Sequence, residues 1–149
     1  MTTQERTLQC VRAFAGHDYD GFLKTYKPDD VDRNHTFQFG QMMCISLQRL
    51  GPRRSVDETV AAMLLKIWAP CAWESALLRL TFGQADIADV VNLAQTDVQR
   101  CQAHYYAGAR LQTFGESASA QLEFETCVRV ECRCLEFHLA WAEVYGRLR

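Results

Sequence analysis

Apolar residues in the last third of the chain recur at the spacing of an α-helix. Between residues 111 and 128 the large apolar side chains do not alternate with polar ones as they would along a β-strand. No other segment shows the alternation of a multi-strand sheet, so the pattern predicts an all-α protein. The residues that carry it most clearly are Leu111, Phe114, Leu122, Phe124 and Val128.

A glycine recurs at a fixed interval. Gly51, Gly83 and Gly115 are evenly spaced, since 83 − 51 and 115 − 83 both give 32. A glycine at such a place suits the left-handed conformation that ends a helix, and a small residue lets two helices cross closely. We therefore expect a repeated helical hairpin. The small residues seven positions before each glycine, and one period later, are Cys44, Ala76, Gly108 and Ala140.

Residues that favour helix N-termini occur where the repeat needs a new helix. Serine, threonine and aspartate accept hydrogen bonds from the free N–H groups of a first turn, and a glutamate or glutamine three residues later completes a capping box. The predicted starts are Ser55 with Glu58, Asp86, Thr96 with Gln99, and Ser117.

The chain is long enough for one domain with a real core, and we expect a single all-helical domain over 1–149. Upstream of the repeats, helices are predicted from Thr7 to Ala15 and from Val31 to Leu50, with a tight turn in the segment AGHDYDGFLKTY between them. The predicted parts are degenerate N-terminal helices over 1–36, about three hairpin repeats over 37–134, and a C-terminal capping helix over 135–149.

The segment QAHYYAGARLQTFGESASAQLEFETC resembles a tetratricopeptide repeat of the divergent, short bacterial type. The family pattern of small, large and turn residues is matched by Gly108, Leu111, Gly115, Ala120, Phe124 and Cys127. The chain departs from the family in its period of 32 where 34 is usual, in His104 at the first aromatic position, and in Asn92 where the preceding copy needs an aromatic. The resemblance implies stacked antiparallel hairpins that form a superhelix.

The resemblance also implies a function. In this family the first helix of each hairpin lines a concave groove that accepts a peptide or a helix, so we expect an adaptor, scaffold or chaperone-like interaction module. A column of aromatic rings would make a rigid contact surface, although the same rings can simply fill the core. By position, the groove would contain Trp73, Leu77, Tyr105, Ala109, Gln112, Phe137 and Trp141. The terminal helix from Leu135 to Leu148 could pair two copies as a homodimer.

Composition and charge limit the kinds of partner and the location that we expect for this chain. A formal net charge of −2 provides no strong field for nucleic acid. The most apolar stretch, Val60 to Trp73, contains Lys66 and Pro70 and is too short to span a bilayer. The charged N-terminus does not resemble a secretory signal, and seven cysteines without paired spacing are a poor disulfide framework. We therefore expect a cytoplasmic protein that contacts no membrane and holds no cofactor.

A metal site, a catalytic function or a small-molecule pocket is a weaker alternative to the interaction module. Cys101 with His104, and Cys134 with His138, lie three and four positions apart on two predicted neighbouring helices, a spacing that would suit zinc. Cysteines used as small core residues explain the same pattern. No serine elbow or phosphate-binding loop occurs, so catalysis is not favoured. A small-molecule sensor or small enzyme would instead place His104, Tyr106 and Glu136 around a pocket between the repeats and the N-terminal helices.

Overall fold

The computed structural model describes residues 1–51 and 71–149, and all the regular secondary structure in these two ranges is helical. The prediction of an all-α protein is confirmed. The capping box predicted at Ser55 and Glu58 lies outside the described residues. Contacts divide the chain into two compact units, Met1–Trp68 and Ala69–Arg149. Each unit is described by itself, and the single domain expected over 1–149 stays a prediction.

The first unit packs three helices in sequence order, α1 against α2 and α2 against α3. Its core is aromatic: the ring of Phe22 packs edge-on against Phe14 at 5.7 Å and stacks on Tyr26 at 5.3 Å. Burial raises the pKa of Tyr26 to about 12. The α-helices are α1 (Thr3–Ala15), α2 (Tyr19–Thr25) and α3 (Thr36–Arg49), and two single 3₁₀ turns, Pro28–Asp30 and Arg33–His35, precede α3.

Two expectations about this unit were wrong in their boundaries. The segment expected to be only a turn contains α2, because Asp18 caps it by accepting a hydrogen bond from the N–H of Gly21 at 2.9 Å. The helix expected from Val31 begins at Thr36. Asp32 holds the residues between it and Thr36 in a 3₁₀ turn, because its carboxylate accepts a hydrogen bond from the N–H of Asn34 and bonds the ring of His35.

The second unit is organised around its longest helix, α6, which contacts each of the other four helices described in it. Helix α7 makes the most extensive of these contacts and also packs against α8. This pattern is typical of neighbouring helical hairpins, whereas the superhelical stacking of tetratricopeptide repeats stays a prediction. The helices are α4 (Ala72–Thr81), α5 (Ile87–Leu93), α6 (Asp97–Thr113), α7 (Ser117–Arg129) and α8 (Leu135–Tyr145).

The three periodic glycines end helices in the way the sequence predicts. Gly51, Gly83 and Gly115 have φ values of 105°, 75° and 78° and follow the ends of α3, α4 and α6. After α6, the N–H of Glu116 bonds the carbonyl of Leu111 at 2.9 Å, which satisfies a carbonyl of the last helical turn. The predicted left-handed helix ends are confirmed.

The small residue Gly108 permits a close approach of α6 and α7. A Cβ atom at this position would lie 2.6 Å from the ring of Phe124 on α7. Both residues are buried. The side chain of Phe124 therefore occupies the space that any larger residue at position 108 would need, which is the reason the hairpin requires a glycine there.

Two of the predicted helix starts are confirmed and one is wrong. The side chain of Asp86 accepts from the N–H of Ala88, and that of Thr96 accepts from the N–H of Gln99. Ser117 is the first residue of α7 rather than its cap, and Glu116, which precedes it, makes no capping hydrogen bond with its side chain. At the C-terminus, Gly146 with φ 74° ends α8 at Tyr145, three residues earlier than expected.

Candidate functional site

An open groove of about 790 Å³ lies in the second unit, between α5 on one side and the start and middle of α7 on the other. Helix α6 and the residue after it complete the lining. The groove exists because α5 and α7 both pack on α6. Its lining residues are Asp86, Ile87, Ala88, Val91, Asn92, His104, Arg110, Leu111, Phe114, Glu116 and Glu123.

Two polar anchors hold the walls of this groove. His104 on α6 bonds Glu123 on α7 through Nδ1 and Oε2 at 2.7 Å, with both side chains half-buried. Arg110 donates to the carbonyl of Ala85 in the loop before α5. Its guanidinium also lies 5.9 Å from the centre of the Phe114 ring. The arrangement fixes α5, α6 and α7 to one another with a histidine and an arginine at the surface of the groove.

The groove combines exposed apolar side chains with net negative charge. Phe114 is 66% exposed, although a ring of this size is ordinarily buried. Ile87, Val91 and Leu111 add half-buried apolar surface beside it. The lining contains three carboxylates and one guanidinium. The groove therefore presents apolar and anionic groups side by side.

The seven residues that the resemblance placed in a groove do not line this one. Four of them are buried in the structure, and three remain half-buried. Of the latter, Trp73 donates through its indole N–H to the side-chain oxygen of Gln102 at 2.9 Å, and Trp141 packs on the ring of Tyr145 at 4.3 Å. The buried four are Leu77, Tyr105, Ala109 and Phe137, and the third half-buried residue is Gln112, which donates to Glu143.

The residues considered for zinc are not brought together as a set. Cys101 lies against Cys127 and also interacts with Cys134, whereas His104 bonds Glu123 at the groove. Burial, followed by the charges of Arg149 and Arg133, lowers the pKa of His138. Within residues 1–51 and 71–149, no group of three His, Cys, Asp or Glu side chains is arranged to hold a metal ion.

The three residues considered for a small-molecule pocket do not line one common pocket either. Tyr106 and Glu136 are buried, and the Tyr106 hydroxyl donates to Oε1 of Glu136 at 3.0 Å. Gln102 donates to the same oxygen at 3.2 Å. Burial, and then the nearby carboxylate, raises the pKa of Tyr106 well above its usual value. These side chains bond one another in the interior, and only His104 of the three reaches the groove.

Sequence reasoning missed the groove because it assigned the binding surface to the first helix of each hairpin. Most of the observed lining comes instead from α5, from α7 and from the turn after α6. One signal was available. Phe114 stands directly before a turn glycine, where a phenylalanine has little chance of reaching a core.

The geometry thus defines an all-helical protein with an open, acidic cleft between helices. Comparison of the chain with protein-family models, with curated proteins and with solved structures gives no match. Among the described helices, none has the length and apolar character needed to cross a membrane.

Proposed function

We propose that this protein is an interaction module that holds a peptide or helix of a partner protein in the groove between α5 and α7. The observation that carries the proposal is the 66% exposure of Phe114 at the edge of an open groove. Large aromatic side chains in such positions are the usual anchors of protein interfaces. A role as an adaptor, scaffold or chaperone-like protein accords with such a groove.

The lining favours a basic, amphipathic partner segment. Leu111 and Phe114 offer apolar surface to one face of such a segment, while Glu116 and Asp86 are exposed carboxylates that can pair with lysine or arginine on its edge. An amphipathic helix laid in a groove uses both kinds of contact. The small-molecule alternative has less support, because Tyr106 and Glu136 are bonded to each other inside the unit.

Two further expectations stay predictions. Self-association through α8 is supported by the exposure of Tyr145, which lies with Val144 near Val128 at the surface. A cytoplasmic location rests on the composition of the chain.

Phe114→Ala tests the proposal. The native protein is used as bait in its own cell extract, and the captured partner is then titrated against both proteins. We expect a loss of affinity of at least about tenfold, as for an interface anchor, with less than ~0.5 kcal/mol change in the free energy of unfolding because the ring is exposed.

Leu122→Ala is the matched control, since Leu122 is 62% exposed and does not line the groove. It should bind the partner like the unmodified chain. Equal affinity of the Phe114 variant and this control would contradict the proposed groove. A second pair of variants tests the charge of the groove. Glu116→Gln removes a carboxylate of the lining and should weaken binding, whereas Asp89→Asn removes a carboxylate outside the lining and should not.

A further inference from the structure

Four of the seven cysteines come together in the second unit. Cys101 lies on α6, Cys127 on α7, Cys134 caps α8, and Cys132 lies in the short connection between α7 and α8. The groove does not include any of them. Helix α6 packs on α7, and α8 packs on both, so the helices that carry or flank these cysteines are neighbours.

The innermost two sulfurs are in direct contact. Sγ of Cys101 and Sγ of Cys127 lie 2.7 Å apart, and both residues are completely buried. The two residues are 26 positions apart in sequence. Two thiols this close can form a disulfide with little movement of the helices that carry them.

The contacts continue from this pair to the surface. The thiol of Cys134 also interacts with that of Cys101, and the thiol of Cys132 interacts with that of Cys134. Cys132 and Cys134 are half-buried, whereas the inner pair is buried. The four thiols therefore define a path of neighbouring groups, in the order 132, 134, 101, 127, from the half-buried pair to the buried pair.

We infer that this path is an oxidation site: a low-molecular-weight disulfide reacts at Cys132, and thiol–disulfide exchange along Cys134 and Cys101 carries the crosslink inward to a Cys101–Cys127 disulfide. The relay is independent of the proposed partner groove. It makes the hairpin of α6 and α7 a covalently closed element under oxidising conditions.

The chemistry balances with the small disulfide, RSSR, as the oxidant. The Cys132 thiolate attacks one sulfur of RSSR, forms a mixed disulfide and releases the first RSH after protonation. Cys134 attacks the Cys132 sulfur and releases the second RSH. Cys101 then attacks Cys134 and frees Cys132, and Cys127 attacks Cys101 and frees Cys134. Overall, Cys101 and Cys127 lose two electrons and two protons, and RSSR becomes two RSH.

The surroundings make this reaction slow at neutral pH. Burial raises the pKa of Cys132, the entry thiol. The contact with Cys127 and burial raise the pKa of Cys101. The interaction with Cys101 and burial raise the pKa of Cys134. Because the thiolate is the attacking species, the rate should increase with pH above neutrality as the thiolate fraction grows.

Trypsin separates the four cysteines, since Arg100, Arg110, Arg129, Arg133 and Arg147 place them on the peptides 101–110, 111–129, 130–133 and 134–147. The reduced, folded protein is incubated with oxidised glutathione, free thiols are blocked, and the digest is analysed by mass spectrometry over time. We expect the Cys132 adduct first, then the 132–134 crosslink, and finally the 101–127 crosslink as the stable product. A reaction that stops at the Cys132 adduct, or crosslinks that form only in urea, would overturn the inference.

Variants test the order of the relay. Cys132→Ser should slow formation of the 101–127 crosslink by roughly tenfold or more, because a buried thiol is a poor entry point. Cys71→Ser is the control: Cys71 is exposed and lies outside the cluster, and serine can keep its capping hydrogen bond from Glu74. An unchanged rate in the Cys132 variant would disprove entry at that residue.

Cys127→Ser should make the 101–134 crosslink accumulate. If this variant does not fold, the time order of crosslinks in the unmodified chain decides, since a relay requires the outer pairs to appear before the inner one. Appearance of the inner crosslink first would refute the relay.

Discussion

Helix α6 has two sides with opposite surroundings. On one side, His104 and Leu111 line the open groove beside exposed carboxylates. On the other, Gln102 and Tyr106 are buried and donate hydrogen bonds to the buried carboxylate of Glu136. The polar groups of the second side share one oxygen of the Glu136 carboxylate in the interior of the unit. The first side leaves an aromatic ring and carboxylates exposed, and it is the side on which we propose that a partner binds.

The largest expected effect on stability lies at the contact between α6 and α7. Gly108→Ala should lower the free energy of unfolding by about 1–3 kcal/mol. The added methyl group would meet the ring of Phe124 at 2.6 Å, and the ~1 kcal/mol gained from the helix propensity of alanine offsets only part of the cost. Urea denaturation measures the change.

A compensating variant sharpens this test. Phe124→Leu shortens the residue that the new methyl group would meet, so the double variant should recover part of the loss relative to the sum of the two single changes. Purely additive effects would contradict a direct steric contact between the two positions.

The buried side of α6 should also make the free energy of unfolding decrease at alkaline pH. The pKa of Tyr106 is raised in the folded chain, so the unfolded chain loses the tyrosine proton first and stability falls as pH rises above about 10. One such group contributes a slope of about 1.4 kcal/mol per pH unit.

Tyr106→Phe isolates this contribution. Tyr26 and buried cysteines also have raised pKa values, so they contribute to the same decline in stability. The quantity to compare is therefore the slope of the free energy of unfolding against pH in the unmodified chain and in the variant. Denaturation at a series of pH values above 10 should give a shallower decline for the variant. An identical slope would show that the Tyr106 hydroxyl is not held in its buried hydrogen bond.

The smallest effect belongs to the groove side. Glu123→Gln removes the negative charge from the group that bonds His104, and both side chains are half-buried. We expect a change of at most ~1 kcal/mol in the free energy of unfolding, as for ion pairs near a surface. A loss as large as that of the Gly108 variant would mean that the two sides of α6 are equally important to the fold.

Particular residues show which helix ends and helix starts could be predicted from the sequence. Gly83 and Gly115 predicted where α4 and α6 end, because a left-handed helix end leaves a local signal. Asp86 and Thr96 predicted helix starts for the same reason. Ser117 failed as a cap, because several polar residues in that turn are nearly equivalent candidates and local sequence does not choose among them.

The residues that line the groove were harder to predict. Tyr105 and Phe137 were placed on a binding surface by their position in the repeat, yet both are buried. Whether an aromatic ring of a helix meets a neighbouring helix or solvent depends on which helices pack beside it, and this is a property of the whole unit.

The sequence by itself determined that the chain is helical, where several helices end, and that position 108 needs a small residue, because each of these follows from local backbone preference or from spacing along one chain. Only the tertiary structure decided that a groove opens between α5 and α7, and that the thiols of Cys101, Cys127, Cys132 and Cys134 are neighbours. Both features join residues that are distant in sequence, and their geometry is set by how the helices pack on α6.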